Sequence, residues 1–179
     1  MRGKPSFRQI EIRYRKERQK NILAQPGAHD FVVVLDRLKA GYNVPKILRS
    51  AQAFGAAEVH LVNIGVFDPA PAKGALRKVP ARFPDSFAES YAELTGRGYA
   101  CYLLAADGEY SLADVELPQK SAFVFGHEEF GPSFDAVDYA GVRTIRIPQY
   151  GEMESLNVSN AASIVMYEYV RQWGGKVSA

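Results

Sequence analysis

Two polar residues near the first predicted helix could bind an anion. Asn43 begins a segment with helical spacing that has Pro45 in its first turn, and Arg49 lies off the apolar stripe of that segment. A guanidinium beside a helix N-terminus can bind phosphate. Asn43 could equally be only a helix cap and Arg49 only half of a surface ion pair. The segment alone leaves both interpretations open.

Two further segments carry polar side chains that could line a site. The glycine-bounded loop 126–131 contains Glu128 and Glu129. Ser155 and Asn157 open the last predicted helix. Loop carboxylates are commonly only solvated, and serine or asparagine at the start of a helix commonly only caps it. Each signal is weak by itself, so the combination of all three segments decides the interpretation.

The sequence lacks the motifs of the commonest α/β enzymes. It has no G-x-G-x-x-G fingerprint, no G-x-S-x-G elbow, and no Lys-Ser/Thr after Gly131 to complete a P-loop. The three histidines are not at the spacing of metal ligands, and the single Cys101 excludes an internal disulfide and a cysteine-built metal site. We therefore expect no bound metal, and we set aside a nucleotide-binding oxidoreductase.

The elements that must position these residues alternate between strand and helix. The chain has 179 residues, 47% of them hydrophobic, which suits one globular domain. Apolar runs and helical stripes predict the following elements: strands over 31–35, 58–64, 99–105, 122–125 and 142–147, and helices over 43–54, 87–94 and 158–173. This order predicts an α/β domain with a mostly parallel sheet. Ligands of such sheets bind beyond the carboxyl ends of the strands, here the loops 36–43, 126–131 and 148–157.

The charge is unevenly distributed along the chain. The net charge is +2, but residues 1–30 carry eight basic and three acidic side chains, so the remainder is mildly acidic. A basic segment is either a solvated helix or a surface that attracts a polyanion such as RNA. The N-terminus has no apolar block that would make it a secretory signal, and no stretch approaches the roughly 20 apolar residues of a membrane span. We expect a cytoplasmic protein that does not enter a membrane.

Three segments together resemble the three motifs of the SpoU/TrmH family, which belongs to the SPOUT class of RNA ribose 2′-O-methyltransferases. They are LDRLKAGYNVPKILRSAQAFG at 35–55, FVFGHEEFGPS at 123–133 and IRIPQYGEMESLNVSNAASIVMYE at 145–168. The resemblance covers about residues 31–173. Pro45 stands where the family usually has glycine, and Gln149 stands where it usually has methionine.

The resemblance implies a fold, a cofactor and a set of site residues. The implied fold is a doubly wound sheet with a C-terminal trefoil knot, which shapes a pocket for S-adenosylmethionine. The residues that match the cofactor-binding positions are Gly126, Ile147, Gln149, Ser155 and Leu156. The residues that match the catalytic positions are Arg49, Asn43, Glu128 and Asn157. Arg49 would bind RNA phosphate and stabilise an incipient alkoxide. Asn43 and Asn157 would orient the ribose. Glu128 would hold either Arg49 or the loop 126–131.

The resemblance also implies partners and a division of the chain. The substrate is RNA, with transfer RNA favoured over ribosomal RNA. We expect a basic N-terminal helical extension over 1–29 that binds RNA, followed by a methyltransferase domain over 30–179. We also expect a homodimer with the last helix at its interface, to which Tyr167 and Trp173 could contribute, while periodicity places Tyr169 in the core. The alternative is a non-catalytic knotted protein that binds RNA or assists assembly.

Overall fold

A single seven-stranded sheet organises the chain, and every pair of neighbouring strands is parallel. The computed structural model describes residues 5–174, so the predicted arm residues Arg2 and Lys4 lie outside the described residues. The strands are β1 Phe31–Asp36, β2 Glu58–Val62, β3 Ala81–Arg82, β4 Ala100–Leu104, β5 Tyr110–Ser111, β6 Ser121–Phe125 and β7 Arg143–Arg146. Their order across the sheet is β3-β2-β1-β6-β4-β7-β5.

Helices cover both faces of this sheet. They are α1 Phe7–Asn21, α2 Asn43–Ala53, α3 Phe87–Gly96 and α4 Val158–Trp173. Alternate residues of β1 enter two separate cores: Phe31, Val33 and Leu35 pack with α2 and α4, whereas Val32 and Val34 pack with α3. A strand covered on both faces has no polar side, which is why residues 31–35 of β1 form an unbroken apolar run. The prediction of an α/β domain with a parallel sheet is confirmed.

The structure adds two short strands that the sequence did not reveal. β3 lies in the segment 65–84, which contains four prolines, and β5 lies in the polar segment 107–119. The sequence predicted both segments to be loops. Each of the two strands contains two residues, too few to show the period of two that identifies a strand. These two strands form the edges of the sheet. Among residues 5–174, no helix has the length and apolar character to cross a membrane.

The N-terminal helix α1 packs against the rest of the fold. Tyr14 is buried and meets the edge of the Phe67 ring at a centroid distance of 5.1 Å. The buried side-chain amide of Asn21 donates to the carbonyl oxygen of Val79 at 2.7 Å and accepts from the backbone N–H of Ala81 at 3.0 Å. Because a buried amide needs such partners, Asn21 fixes the end of α1 beside β3.

Candidate active site

A cavity of about 400 Å³ opens at the carboxyl ends of β4, β6 and β7. Its walls come from the segments that follow these three strands and from the first turns of α4. The lining residues are Leu104, Ala105, Ala106, Phe125, Gly126, His127, Glu128, Ile147, Gln149, Ser155, Leu156, Asn157, Val158 and Ala161. This is the edge of the sheet at which parallel α/β folds bind their ligands, and the volume suits a small molecule.

The cavity brings together most of the residues that the sequence singled out. All five predicted cofactor-binding residues line it, as do Glu128 and Asn157. Asn43 does not line it but reaches its rim through hydrogen bonds. Arg49 does not line it; its side chain is exposed on α2 and forms no salt bridge or hydrogen bond with residues 5–174.

A chain of hydrogen bonds forms the polar rim of the cavity. The Asn43 amide donates from Nδ2 to Oε1 of Glu128 at 2.8 Å, and Asn157 donates from Nδ2 to Oδ1 of Asn43 at 3.3 Å. Asn157 Oδ1 in turn accepts from the hydroxyl of Ser159 at 2.6 Å. These hydrogen bonds join residues that are 85 and 114 positions apart in the sequence, so they connect three separate segments.

Glu128 is held as a carboxylate by neutral donors. Partial burial raises the pKa of Glu128, but the hydrogen bonds from the Asn43 amide and from the Lys39 backbone N–H outweigh it and lower the pKa below its ordinary value. The Lys39 N–H lies 3.2 Å from Oε2, so both carboxylate oxygens have a partner. An ionised carboxylate only accepts hydrogen bonds, and Glu128 therefore fixes which way the Asn43 amide points.

Two further contacts set the position of the loop that carries Glu128. The buried carboxylate of Asp36, at the end of β1, accepts the hydroxyl of Ser133 at 2.9 Å and the backbone N–H of the same residue. Gly126 lies so close to the returning chain that a Cβ atom there would be 2.4 Å from the nitrogen of Pro132. Only glycine tolerates this approach, so the loop 126–133 folds back tightly on itself.

The contacts distinguish between alternatives that the sequence left open for three residues. Asn43 is not a helix cap, because α2 begins at Asn43 and its side chain joins the polar rim. Arg49 is not half of a surface ion pair within residues 5–174. Glu128 contacts Asn43 and Lys39 and not Arg49, so of its two predicted roles only holding the loop is observed. Asn157 does cap α4, accepting from the Ser159 N–H at 3.0 Å.

The sequence missed part of the cavity wall. Leu104 is the last residue of β4, and Ala105 and Ala106 follow it; the strand was predicted, but the loop after it was not considered as part of the site. Its position after a strand of a parallel sheet is the signal that could have identified it. The Lys39 contact uses a backbone N–H, which no residue type reveals.

A second polar cluster lies at the amino end of β2. The carboxylates of Glu58 and Glu93 and the ring of His60 come close enough together to hold a metal ion, which their sequence spacing did not suggest. Arg82 and Arg97 already bind the Glu58 carboxylate, at 2.5 and 2.7 Å. Because two guanidinium groups neutralise it, the cluster is an ion-pair network.

The sheet and the cavity define a class of protein: a parallel α/β fold with a cavity of small-molecule size at the carboxyl ends of its strands, beside a rim of amide and carboxylate groups. The chain belongs to the SpoU rRNA Methylase family, whose model matches residues 30–167. The family predicted from the three segments is therefore confirmed. The match begins after α1 and includes the whole rim and cavity.

Curated relatives of this chain modify two kinds of RNA. The tRNA (guanosine(18)-2′-O)-methyltransferase of Thermus thermophilus is 31% identical over 148 residues, covering 80% of this chain and 75% of the relative. The 23S rRNA (guanosine-2′-O-)-methyltransferase RlmB of Xylella fastidiosa is 33% identical over 158 residues, covering 86% of this chain and 63% of the relative.

Solved structures share the fold. The TrmH/SpoU tRNA modifying enzyme of A. aeolicus superimposes with a TM-score of 0.71 at 25% identity, covering 91% of this chain and 83% of the other. The SpoU methyltransferase AviRb of Streptomyces viridochromogenes, crystallised with the cofactor AdoMet, gives 0.69 at 26% identity, covering 82% of this chain and 61% of the other.

Proposed function

We propose that this chain transfers a methyl group from S-adenosylmethionine to a ribose 2′-hydroxyl of RNA. The observation that carries the proposal is the polar rim of Asn43, Glu128 and Asn157, which borders a cavity lined by every predicted cofactor-binding residue. Family membership and the methyltransferase names of the relatives support the same reaction.

The cavity fits the cofactor by size and by chemistry. Its volume of about 400 Å³ falls within the range of small-molecule sites, roughly 300–1,000 Å³. The side chains of Leu104, Ile147 and Leu156 can cover a purine ring, while loop backbone groups such as those at Gly126 and Gln149 can bind its polar edge. A SpoU methyltransferase of the same fold was crystallised with AdoMet, which supports this assignment.

The rim residues orient the acceptor ribose. The cofactor, when bound, would supply an electrophilic methyl group: the bond from sulfur to methyl would break as the bond from the 2′-oxygen to methyl forms, S-adenosylhomocysteine would leave, and the hydroxyl proton would pass to water. Each amide nitrogen carries two hydrogens. The Asn43 and Asn157 amides each use one of them within the rim, leaving one for a ribose oxygen. Holding the hydroxyl in line with the methyl group removes much of the entropic barrier. Glu128, with its lowered pKa, acts as a fixed acceptor and not as a base.

Arg49 binds the RNA beside the target ribose in this proposal. Its exposed guanidinium has no acidic partner within residues 5–174, so it is available to a phosphate. Arg49→Ala should lower methyl transfer and weaken RNA binding, whereas Lys46→Ala, which removes another exposed cation of α2, should change both less. If Arg49→Ala kept full transfer and full RNA affinity, the role would be wrong.

The reaction is tested in two measurements on the full chain. Calorimetry with S-adenosylmethionine measures cofactor binding, and tritiated methyl transfer to bulk transfer RNA and bulk ribosomal RNA measures activity. We expect binding and transfer, with transfer RNA as the better acceptor. Cofactor binding without transfer to either RNA would favour the alternative, a non-catalytic RNA-binding protein. Mapping 2′-O-methyl groups in RNA from cells with and without the protein then identifies the nucleotide.

We propose that α1 forms part of the RNA-binding surface. It carries exposed basic side chains and packs on the connection that carries the exposed Lys73, Arg77 and Lys78, where Arg77 pairs with Glu17 of α1 at 3.4 Å. Because Tyr14 of α1 is part of the core, deletion of the helix would disturb the fold. A triple replacement of Arg8, Lys16 and Lys20 by alanine avoids this. It should reduce the salt dependence of RNA binding, by about 2 in the logarithmic slope, and spare cofactor binding.

We also propose a homodimer and a C-terminal trefoil knot. Tyr167 of α4 is exposed and meets the edge of the Phe54 ring at 6.3 Å, and Ile164 is exposed nearby, so this surface could pack against a second copy. Tyr167→Asp should shift the mass measured by light scattering from dimer to monomer, and Ile12→Asp on α1 should not. The knot is supported by family membership.

A further inference from the structure

The loop after β6 presents an aromatic ring to solvent beside the cavity. Phe130 is 81% exposed, although it lies only two residues beyond Glu128 of the rim. A single exposed apolar side chain is ordinary on protein surfaces and needs no function. Phe130 differs from such a side chain in how its ring is held and in what surrounds it.

Phe130 is held in one orientation by His127. The two rings stack with centroids 4.8 Å apart and an interplanar angle of 29°. Nδ1 of His127 accepts the backbone N–H groups of Glu129 and Phe130 at 3.0 and 3.3 Å, so the imidazole cannot turn freely. Two backbone hydrogen bonds between His127 and Gly131 close the loop at 2.8 and 2.9 Å. One face of Phe130 is thus supported while the exposed ring remains accessible.

This support connects Phe130 directly to the cavity. His127 lines the cavity, and Glu128, the next residue in the sequence, accepts a hydrogen bond from Asn43. Two other exposed aromatic side chains flank the site: Tyr42 precedes Asn43, and the fully solvated Tyr150 follows Gln149 of the cavity wall. Aromatic rings that border a site for ribose are the usual partners of unpaired bases, which stack on them.

We propose that Phe130 is a stacking platform for a base at or next to the target nucleotide. The proposal rests on the proposed function and deepens it, because it specifies the substrate class: an unpaired nucleotide in a loop or single strand. A base held in a duplex already has both faces covered and cannot stack on the ring. The support from His127 removes most of the ordering cost that a free side chain would add to binding.

A fluorescence experiment tests the contact without any catalysis. The chain has one tryptophan, Trp173, so Phe130→Trp combined with Trp173→Phe places a single reporter at the platform. The probe is a short single-stranded oligoribonucleotide, added alone or annealed to its complement. We expect the single strand to quench the reporter and the duplex not to. Equal quenching by both, or none by either, would overturn the proposal. If the Trp173→Phe variant does not fold, Phe130→Trp alone, with Trp173 kept, allows the same comparison of quenching by single strand and duplex.

A kinetic experiment tests the consequence for methyl transfer. Phe130→Ala should raise KM for bulk RNA about tenfold, because stacking on one ring is lost. Its kcat and its affinity for S-adenosylmethionine should change little, and Phe130→Trp should restore KM. Val137→Ala is the matched control, since Val137 is 85% exposed and lies in a different segment. An unchanged KM for Phe130→Ala overturns the proposal.

The two experiments separate this proposal from the proposed function. Quenching by single-stranded RNA without methyl transfer to any RNA would contradict the methyltransferase assignment and support the platform. Methyl transfer with an unchanged KM for Phe130→Ala and no quenching would support the methyltransferase assignment and contradict the stacking platform.

Discussion

Glu128 and Glu58 are both held as carboxylates, but by donors of different kinds. Glu128 lies at the carboxyl end of the sheet and accepts from the Asn43 amide and the Lys39 backbone N–H, both neutral. Glu58 lies at the amino end of β2 and is bound by two guanidinium groups. Neutral donors orient a carboxylate without cancelling its charge, whereas guanidinium groups cancel it. The first arrangement suits a site that must align other groups, and the second stabilises the fold.

The largest expected effect is on activity at the rim. Glu128→Ala should lower kcat for methyl transfer about 100-fold, because the Asn43 amide loses its fixed direction and small misplacements at a reacting centre have effects of that size. The free energy of unfolding in urea should change little. Glu129→Ala is the control, since within residues 5–174 the Glu129 carboxylate pairs only with the exposed Lys39. A similar loss of kcat in both variants would contradict the role of Glu128.

The opposite result is expected at Glu58. Glu58→Ala leaves Arg82 and Arg97 without their main partner, which should lower the free energy of unfolding by about 2 kcal/mol. This is less than the loss for a fully buried pair, because both arginines are partly exposed to water. The kcat of the folded fraction should stay the same. Glu93→Ala, which removes a more exposed partner of Arg97, should have a smaller effect.

The ion pairs of Glu58 should also make the stability of the protein depend on pH. Burial raises the pKa of Glu58, but His60, Arg97 and Arg82 together outweigh it and bring the pKa down from 4.5 to about 2. A lowered pKa in the folded state stabilises the protein above pH 4.5, and this stabilisation is lost as the pH falls towards 2. Urea unfolding over this range should show the loss in the natural protein and a weaker pH dependence in Glu58→Gln. Identical pH profiles would refute the assignment.

The smallest effect tests whether Lys39 acts through its backbone. Lys39→Ala removes the exposed ion pair with Glu129 but keeps the N–H that Glu128 accepts, so kcat should not change. Lys39→Pro removes that N–H, and we expect kcat to fall about tenfold, the size of one hydrogen bond to a charged group. A loss of activity in Lys39→Ala would show that the ammonium group itself is needed.

The sequence predicted those parts of the fold that have a strong local pattern. Residues 31–35 of β1 and 122–125 of β6 are unbroken apolar runs because both faces are covered, and α4 shows a clear stripe that includes the buried Tyr169. β3 and β5 have only two residues each and show no pattern. The docking of α1 depends on Asn21, a polar residue whose burial among backbone groups no periodicity reveals.

The candidate site was predicted by resemblance and not by chemistry. The residue types of Asn43, Glu128 and Asn157 are each compatible with a cap or a solvated loop, and only their hydrogen bonds across 85 and 114 positions distinguish a site. Contacts between such distant segments depend on the register of the whole sheet. The sequence placed Arg49 off the apolar stripe of α2, but for the same reason it could not show that Arg49 lies outside the cavity lining.

The two-residue edge strands have a consequence for how copies of this protein meet. A long open strand at a sheet edge presents a row of unpaired backbone groups, which can template fibrils or strand-swapped aggregates. β3 and β5 leave little such backbone, and Arg82 of β3 adds a charged, largely exposed side chain. The sheet is therefore a poor template for the addition of further strands at its edges. Association of this protein with itself should proceed through its helices, and amyloid-type assembly should require unfolding first.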